Sequence, residues 1–325
     1  MCKKCKIGLI IFLILSALVI IWIFSAKGGL VSGWHYVASI IFPEKITPET
    51  LQQKYKNGDI KILIVPGHDK NSYGAQYRGV TEESLNAKVG NYLYDYFLRD
   101  QKFSPTITRI YNGTYMEWFT SYAEKDKTEI KSWRDKLKSI MKSFLKTGAV
   151  TKNTKVFHNP AADNASLNLY AINKWANENN IDIVLHLHFN DYPGRPYDLP
   201  GKYSGFAIYI PESQLPNYRV SNEIGESIKK QLSTILAPSN FNKEKDTLIE
   251  DQQLIAVGSN ASRDGASILL EYGYIYEDKI YDKNLREQTL INLAYQTYLG
   301  IKNYFDLTSS SLKTLQSLND PNSSP

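Results

Sequence analysis

The chain predicts an α/β fold, a mostly parallel open sheet flanked by helices, with a helical insertion and an N-terminal transmembrane helix. Three features carry that expectation. From Lys61 onward, short apolar runs bounded by turn residues alternate with stretches of helical periodicity. Strands that alternate with helices need crossover connections, and those favour parallel pairing with helices on the sheet faces. Several of the apolar runs end on histidine or glutamate, and residues 7–26 contain no charge.

Taking the elements in order, the run IGLIIFLILSALVIIWIFSA over 7–26 has twenty residues. At about 1.5 Å per residue that length spans a hydrocarbon core of about 30 Å. It exceeds the usual apolar region of a signal peptide and lacks a small-x-small ending, which favours an uncleaved anchor over secretion after cleavage. Lys3, Lys4 and Lys6 on its short leading side place the N-terminus in the cytoplasm and the body outside. Residues 1–27 are thus read as basic stub and anchor. Residues 28–58 form a linker, in which Thr47-Pro48 caps and starts a short helix acting as a stalk.

Residues 59–307 read as one folded body. Strands are expected at 62–65, 105–109, 181–188, 205–210 and 267–271, with helices at 82–99, 129–147, 165–179, 220–236 and 285–304. Residues 111–163 depart from a minimal α/β pattern. They are rich in Tyr, Trp and Lys and include the amphipathic run EIKSWRDKLKSIMKSFLK, so they read as a partly helical insertion. Such an insertion suits a cover for a binding groove, a dock for a regulatory protein partner, or equally a peripheral helix pair that packs its own apolar stripe. The Pro- and Gly-rich stretch 191–203 is expected as a long loop. The Ser- and Asn-containing tail 308–325 is expected to be disordered.

Composition narrows the chemistry. Of 38 basic residues, four lysines precede the first acidic residue, so the remaining chain is balanced against its 33 carboxylates to within a single charge. Nucleic-acid binding needs a concentrated basic face, and no nucleic-acid partner is expected. Both cysteines lie in the first five residues, so any metal in the body must be held by histidines and carboxylates.

Only five histidines occur: His35, His68, His158, His186 and His188. His68 follows the strand KILIV through Pro66-Gly67, His188 closes IDIVLHLH, and Glu271 closes SILLE. In open α/β sheets ligands gather beyond the carboxyl ends of the strands, so these three residues converge on one edge. A glutamate ending an apolar strand is costly to bury unless paired or bound to a cation; an ion pair with Arg263 is the purely structural alternative. On the helix 82–99, Glu82 lies one turn before Leu85 and Asn86 on the inward face. Glu83 is turned roughly 100° away and is expected in solvent or beside the helix N-terminus.

The segments ILIVPGHDKNSYGAQYRGVTEESLN, VLHLHFND, GFAIYI and ILLEYGYIYE, in that order, resemble the zinc-dependent N-acetylmuramoyl-L-alanine amidases, enzymes that cut glycan from stem peptide in the cell wall. The likeness covers roughly residues 60–305. It implies zinc (Zn2+) as cofactor, with His68, Glu82 and His188 as ligands, Glu271 as the catalytic carboxylate, and Asn86 and Asn190 supporting the ligands. It implies peptidoglycan as substrate and the amide between N-acetylmuramic acid and L-alanine as the bond cut. His186 stands where the family commonly has a small residue and shares the face of His188, as a supporting group, an alternative ligand or a packed core histidine. The same ligand set would serve another zinc peptidase or deacylase. Outside enzymes, the rival reading is a wall-binding protein on this scaffold.

Overall fold

A computed structural model describes residues 43–153, 161–192 and 194–318, with side chains through 306. The apolar run 7–26, His35 and His158 lie outside the described residues. Among those described, no helix is long and apolar enough to cross a membrane.

Six strands form the main sheet. In chain order they are β1 (Ile60–Pro66), β4 (Phe103–Ile107), β5 (Ile183–Asn190), β6 (Ala207–Pro211), β7 (Leu248–Asp251) and β8 (Ala266–Tyr274). A separate two-stranded ribbon pairs β2 (Gln76–Tyr77) with β3 (Val80–Thr81). The sheet order is β4-β1-β5-β8-β6-β7, and every neighbouring pair is parallel except β6 and β8. The expected mostly parallel sheet is therefore present, and β5 lies inside it between β1 and β8.

Strand alternation divides the side chains between two helical layers. Ile183, Leu185 and Leu187 of β5 face the larger cluster, built with α1 (Pro48–Asn57), α2 (Glu82–Leu98), α6 (Tyr218–Leu232) and α8 (Lys283–Leu318). Leu63, Val65 and Val184 face the opposite layer, made by α3 (Glu117–Lys125), α4 (Lys127–Thr147) and α5 (Asp163–Glu178). His186 and His188 alternate with Leu187 and so belong to that second face. A short helix α7 (Asp278–Tyr281) links β8 to α8.

Some expectations are corrected. Thr47 caps α1 as predicted, accepting from the Thr50 amide at 3.2 Å, with Pro48 in the first turn. The helix is no free stalk, however. Leu51 is fully buried and Tyr55 stacks on Phe305 at 4.4 Å, because both project from the same side of α1 into the main cluster. Helix α8 runs to Leu318, past Thr308, where disorder was expected; Leu312, Leu315 and Leu318 keep helical spacing within the polar tail. Arg263 does not pair with Glu271. Its guanidinium donates to Asn177 Oδ1 at 2.6 Å and to the Ile181 carbonyl.

Candidate metal centre and catalytic carboxylate

The carboxyl ends of β1, β5 and β8 lie side by side. β1 ends at Pro66, and the next amide, of Gly67, donates to the Leu187 carbonyl of β5 at 2.9 Å. The turn then leaves His68 in the left-handed region at φ 61°, a conformation uncommon outside glycine that aims the imidazole back across the strand end. Gly67 itself passes so close to β5 that a Cβ there would fall 2.2 Å from Cε1 of His188. Gly74, at φ 69°, has Glu82 and His68 where its side chain would be. Glycine is required at both positions for the cluster to close.

Glu82 opens α2, with the Thr81 hydroxyl accepting from Ser84 N at 3.4 Å at the helix start. One carboxylate oxygen accepts from the Ala75 amide at 2.8 Å and lies 3.2 Å from Nε2 of His68. The other lies 2.8 Å from Nδ1 of His188 and accepts from the Phe189 amide at 3.2 Å. Burial alone would raise this carboxyl's pKa, but the two imidazoles outweigh burial and hold it well below the usual range. Burial is also the first reason that His188 is pushed below its ordinary pKa, which keeps its ring neutral and available as a ligand.

The side chains of His68, Glu82 and His188 each offer a ligand atom, and those atoms lie within 4.8 Å of one another. The two rings meet edge to face, with centroids 5.1 Å apart. Two imidazoles and one carboxylate, with no thiolate, are a donor set that suits zinc and leaves a coordination position for a reactant. The glycine cradle at 67 and 74 admits that cluster and nothing bulkier, so the residues present fit the ion.

Glu271 stands opposite His188 in the β5–β8 register. One of its oxygens is buried with no hydrogen-bond partner. Burial, then the negative charges of Glu82 and Glu244, push its pKa well above the ordinary carboxylate value. A carboxyl group poised to hold a proton thus faces the same edge as the three-residue cluster.

Supporting residues occupy defined places. Asn86, fully buried, donates to the Gly67 carbonyl at 3.0 Å and to Glu82 at 3.4 Å, tying α2 to the His68 turn. Asn190 lies past a bulge after His188; its amide nitrogen donates to Glu244 at 2.9 Å, and its oxygen accepts from the Asp191 amide. His186 is removed from the cluster. It is buried on β5 between Val65 and Leu269 in register, with both ring nitrogens unpartnered. Burial first, then the charges of His188 and Arg263, push its pKa down to about 3, so the ring is neutral.

Two functional neighbours were not legible beforehand. Glu83 is buried rather than solvated, because Arg109 at the end of β4 reaches it: Nη1 donates to Glu83 Oε1 at 2.9 Å. The same guanidinium donates from Nε to the Pro66 carbonyl at 3.1 Å and from Nη2 to the Gly67 carbonyl at 2.7 Å, clamping the turn that presents His68. Glu244 sits in a loop without periodicity. Its two oxygens accept from Asn190, Tyr209, Ser239 and Tyr274. An arginine closing a strand at the sheet's carboxyl edge was the available signal for the first; Glu244 offered none.

Among curated proteins none matches the chain. Solved structures similar to it include an N-acetylmuramoyl-L-alanine amidase from Clostridium difficile 630, at 13% identity and TM-score 0.47, covering 76% of this chain and 97% of that one. The CwlD amidase from Clostridioides difficile, in complex with the GerS lipoprotein, is 14% identical with TM-score 0.48, covering 76% and 99%. The amidase Ami1 from Mycobacterium smegmatis is 12% identical with TM-score 0.48, covering 76% and 97%. The family model described as N-acetylmuramoyl-L-alanine amidase matches residues 62–303, most of the chain, and the chain therefore belongs to that family.

Proposed function

We propose that this chain hydrolyses the amide between N-acetylmuramic acid and L-alanine in peptidoglycan, with zinc held by His68, Glu82 and His188 and with Glu271 as catalytic carboxylate. The observation that carries the reading is the meeting of three ligand side chains within 4.8 Å, beside a strand-end glutamate in register with one of them. Zinc at that site supplies, when bound, the Lewis acidity that polarises the scissile carbonyl and brings the pKa of a water toward neutrality. Glu271 accepts the proton of the attacking water and returns it to the leaving amine nitrogen. Burial and the neighbouring carboxylates raise its pKa, so the carboxyl group retains the proton it has taken until the leaving nitrogen receives it. Glu82 stays ionised and joins α2 to β5 through His188. Asn86 and Arg109 keep the His68 turn in place.

The uncharged run 7–26, with lysines before it, supports a single-pass anchor that places the N-terminus in the cytoplasm and residues 59–307 outside, within reach of the wall polymer. The test is product analysis. The full chain incubated with purified peptidoglycan is expected to release free stem peptides with an unblocked N-terminal alanine. Cleavage within the peptide instead would identify a peptidase, and binding without cleavage would identify a wall-binding protein.

A further inference from the structure

Helix α4 gathers most of its basic residues on one side, with Lys136 lying away from them. At 100° per residue, Lys127, Lys131, Arg134, Lys138, Lys142 and Lys146 fall within about 120° of one another around the helix axis. The five lysines are exposed, and Lys138 also rests over the Tyr170 ring at 5.7 Å. Within α4, Asp135 is the carboxylate on this stripe, and Arg134 holds it at 2.8 Å. Glu129 lies around the helix and pairs with Lys174. Because the chain beyond residue 27 is close to neutral, this ridge is a local concentration of charge along a helix of 21 residues, about 30 Å long.

The apolar side of α4 is already occupied. Ile130 and Met141 are buried, and Trp133 meets the Tyr170 ring edge to face at 6.1 Å. A helix that lies in a membrane surface needs a free apolar face to enter the acyl region, and α4 has spent its own on the protein. Its basic ridge is instead suited to a polyanion lying along it. Helix α5 packs on the sheet face to which His188 and Glu271 belong by strand alternation, with α4 packed on α5 as the outer layer, and the Tyr115 hydroxyl, just before α3, donates to Asp69 beside His68 at 3.3 Å. Ridge and candidate site therefore lie on the same side of the sheet.

We propose that the basic ridge of α4 holds an anionic strand of peptidoglycan by its stem-peptide carboxylates while a muramoyl amide of that strand lies at Glu271. This rests on the amidase reading above. The interaction is ionic and mostly solvent-exposed, so salt weakens it over a screening length of about 8–10 Å.

The test uses the full chain and a variant carrying Lys131→Glu, Lys138→Glu and Lys142→Glu, with a Lys→Gln triple at the same positions as a milder companion. Two substrates are compared: insoluble peptidoglycan stripped of phosphate polymers, and a soluble muramoyl-peptide fragment too short to reach the ridge. Co-sedimentation of the charge-reversed chain with the stripped polymer is expected to weaken by about tenfold, with the Gln triple in between, from the loss of several surface ion pairs. Wild-type binding should fall with added salt and on amidation of the polymer's carboxylates, while fragment turnover stays unchanged in all chains. Unchanged co-sedimentation of the reversed chain would overturn the proposal. So would capture by anionic lipid vesicles or by phosphate polymers with no binding to stripped peptidoglycan. A wild-type chain that binds the polymer through the ridge but leaves the fragment uncut would sink the amidase reading while leaving the ridge in place.

Discussion

Replacing Arg109 by methionine should unfold this protein far more readily than its distance from the reacting bond suggests. The guanidinium is fully buried and makes contacts to the carbonyls of Pro66, Gly67, Glu83 and Gly113 besides the Glu83 carboxylate. Methionine fills most of the volume but leaves the Glu83 carboxylate buried without a counter-charge, a loss of about 3–5 kcal/mol. The orphaned carbonyls push the loss toward the upper end of that range, because a buried acceptor without a donor costs about 1–3 kcal/mol. Against a domain stability of about 5–15 kcal/mol this is a large fraction. Urea unfolding followed by circular dichroism measures it. Glu83→Leu alone should cost a similar amount by stranding the arginine. The double variant, with both partners apolar, should be more stable than the sum of the single losses by at least about 2 kcal/mol, as expected for residues in direct contact. Should Arg109→Met lie within about 1 kcal/mol of wild type, or the two losses simply add, the clamp described for the His68 turn is not an energetic unit.

Other substitutions probe the remaining parts of the site. Gly67→Ala puts a Cβ against the His188 ring at 2.2 Å, so the ring must leave its bond to Glu82; zinc in the purified protein should drop by about tenfold or more, as for other disrupted ligand supports. Metal analysis returning a full equivalent would refute the cradle. For His186→Leu the expected change in urea stability is between neutral and about 1 kcal/mol stabilising, since a buried imidazole with neither nitrogen bonded is exchanged for an apolar side chain of similar size. Zinc content should not change, and its loss would mean that His186 is a ligand after all. Glu82→Gln keeps the shape of α2's first turn but removes the charge between the two imidazoles, and it too should abolish stable zinc binding on dialysis; an unchanged metal content would remove Glu82 from the ligand set.

Much of this architecture can be read from local pattern, and the reason is geometric. His68, His188 and Glu271 each end an apolar run, and strand ends in a parallel sheet share an edge, so their convergence follows from fold class alone. Glu82 was separable from Glu83 because helical periodicity places it with Leu85 and Asn86. What periodicity could not supply was the partner of the other face. Glu83 is buried by Arg109, 26 residues away and on another element, and only the three-dimensional path of the chain after β4 brings them together. Glu244 reaches Asn190, 54 residues away, from a loop with no repeat to mark it. Strand β7, four residues reading LIED, is too short and too acidic to stand out as a strand; pairing beside β6 defines it. The first helix kept its predicted cap yet proved part of the core, because a cap signal locates a helix start without saying what the helix packs against.

Glu271 is proposed to move the proton beside a zinc site made by three other residues. The most direct measurement is therefore turnover of a soluble muramoyl-peptide by Glu271→Gln beside wild type, with zinc content determined on the same samples. Zinc should be equal in both, and turnover by the variant should fall by about a hundredfold or more, as removal of a general acid–base group does. Equal zinc with turnover kept near wild type would contradict the assignment.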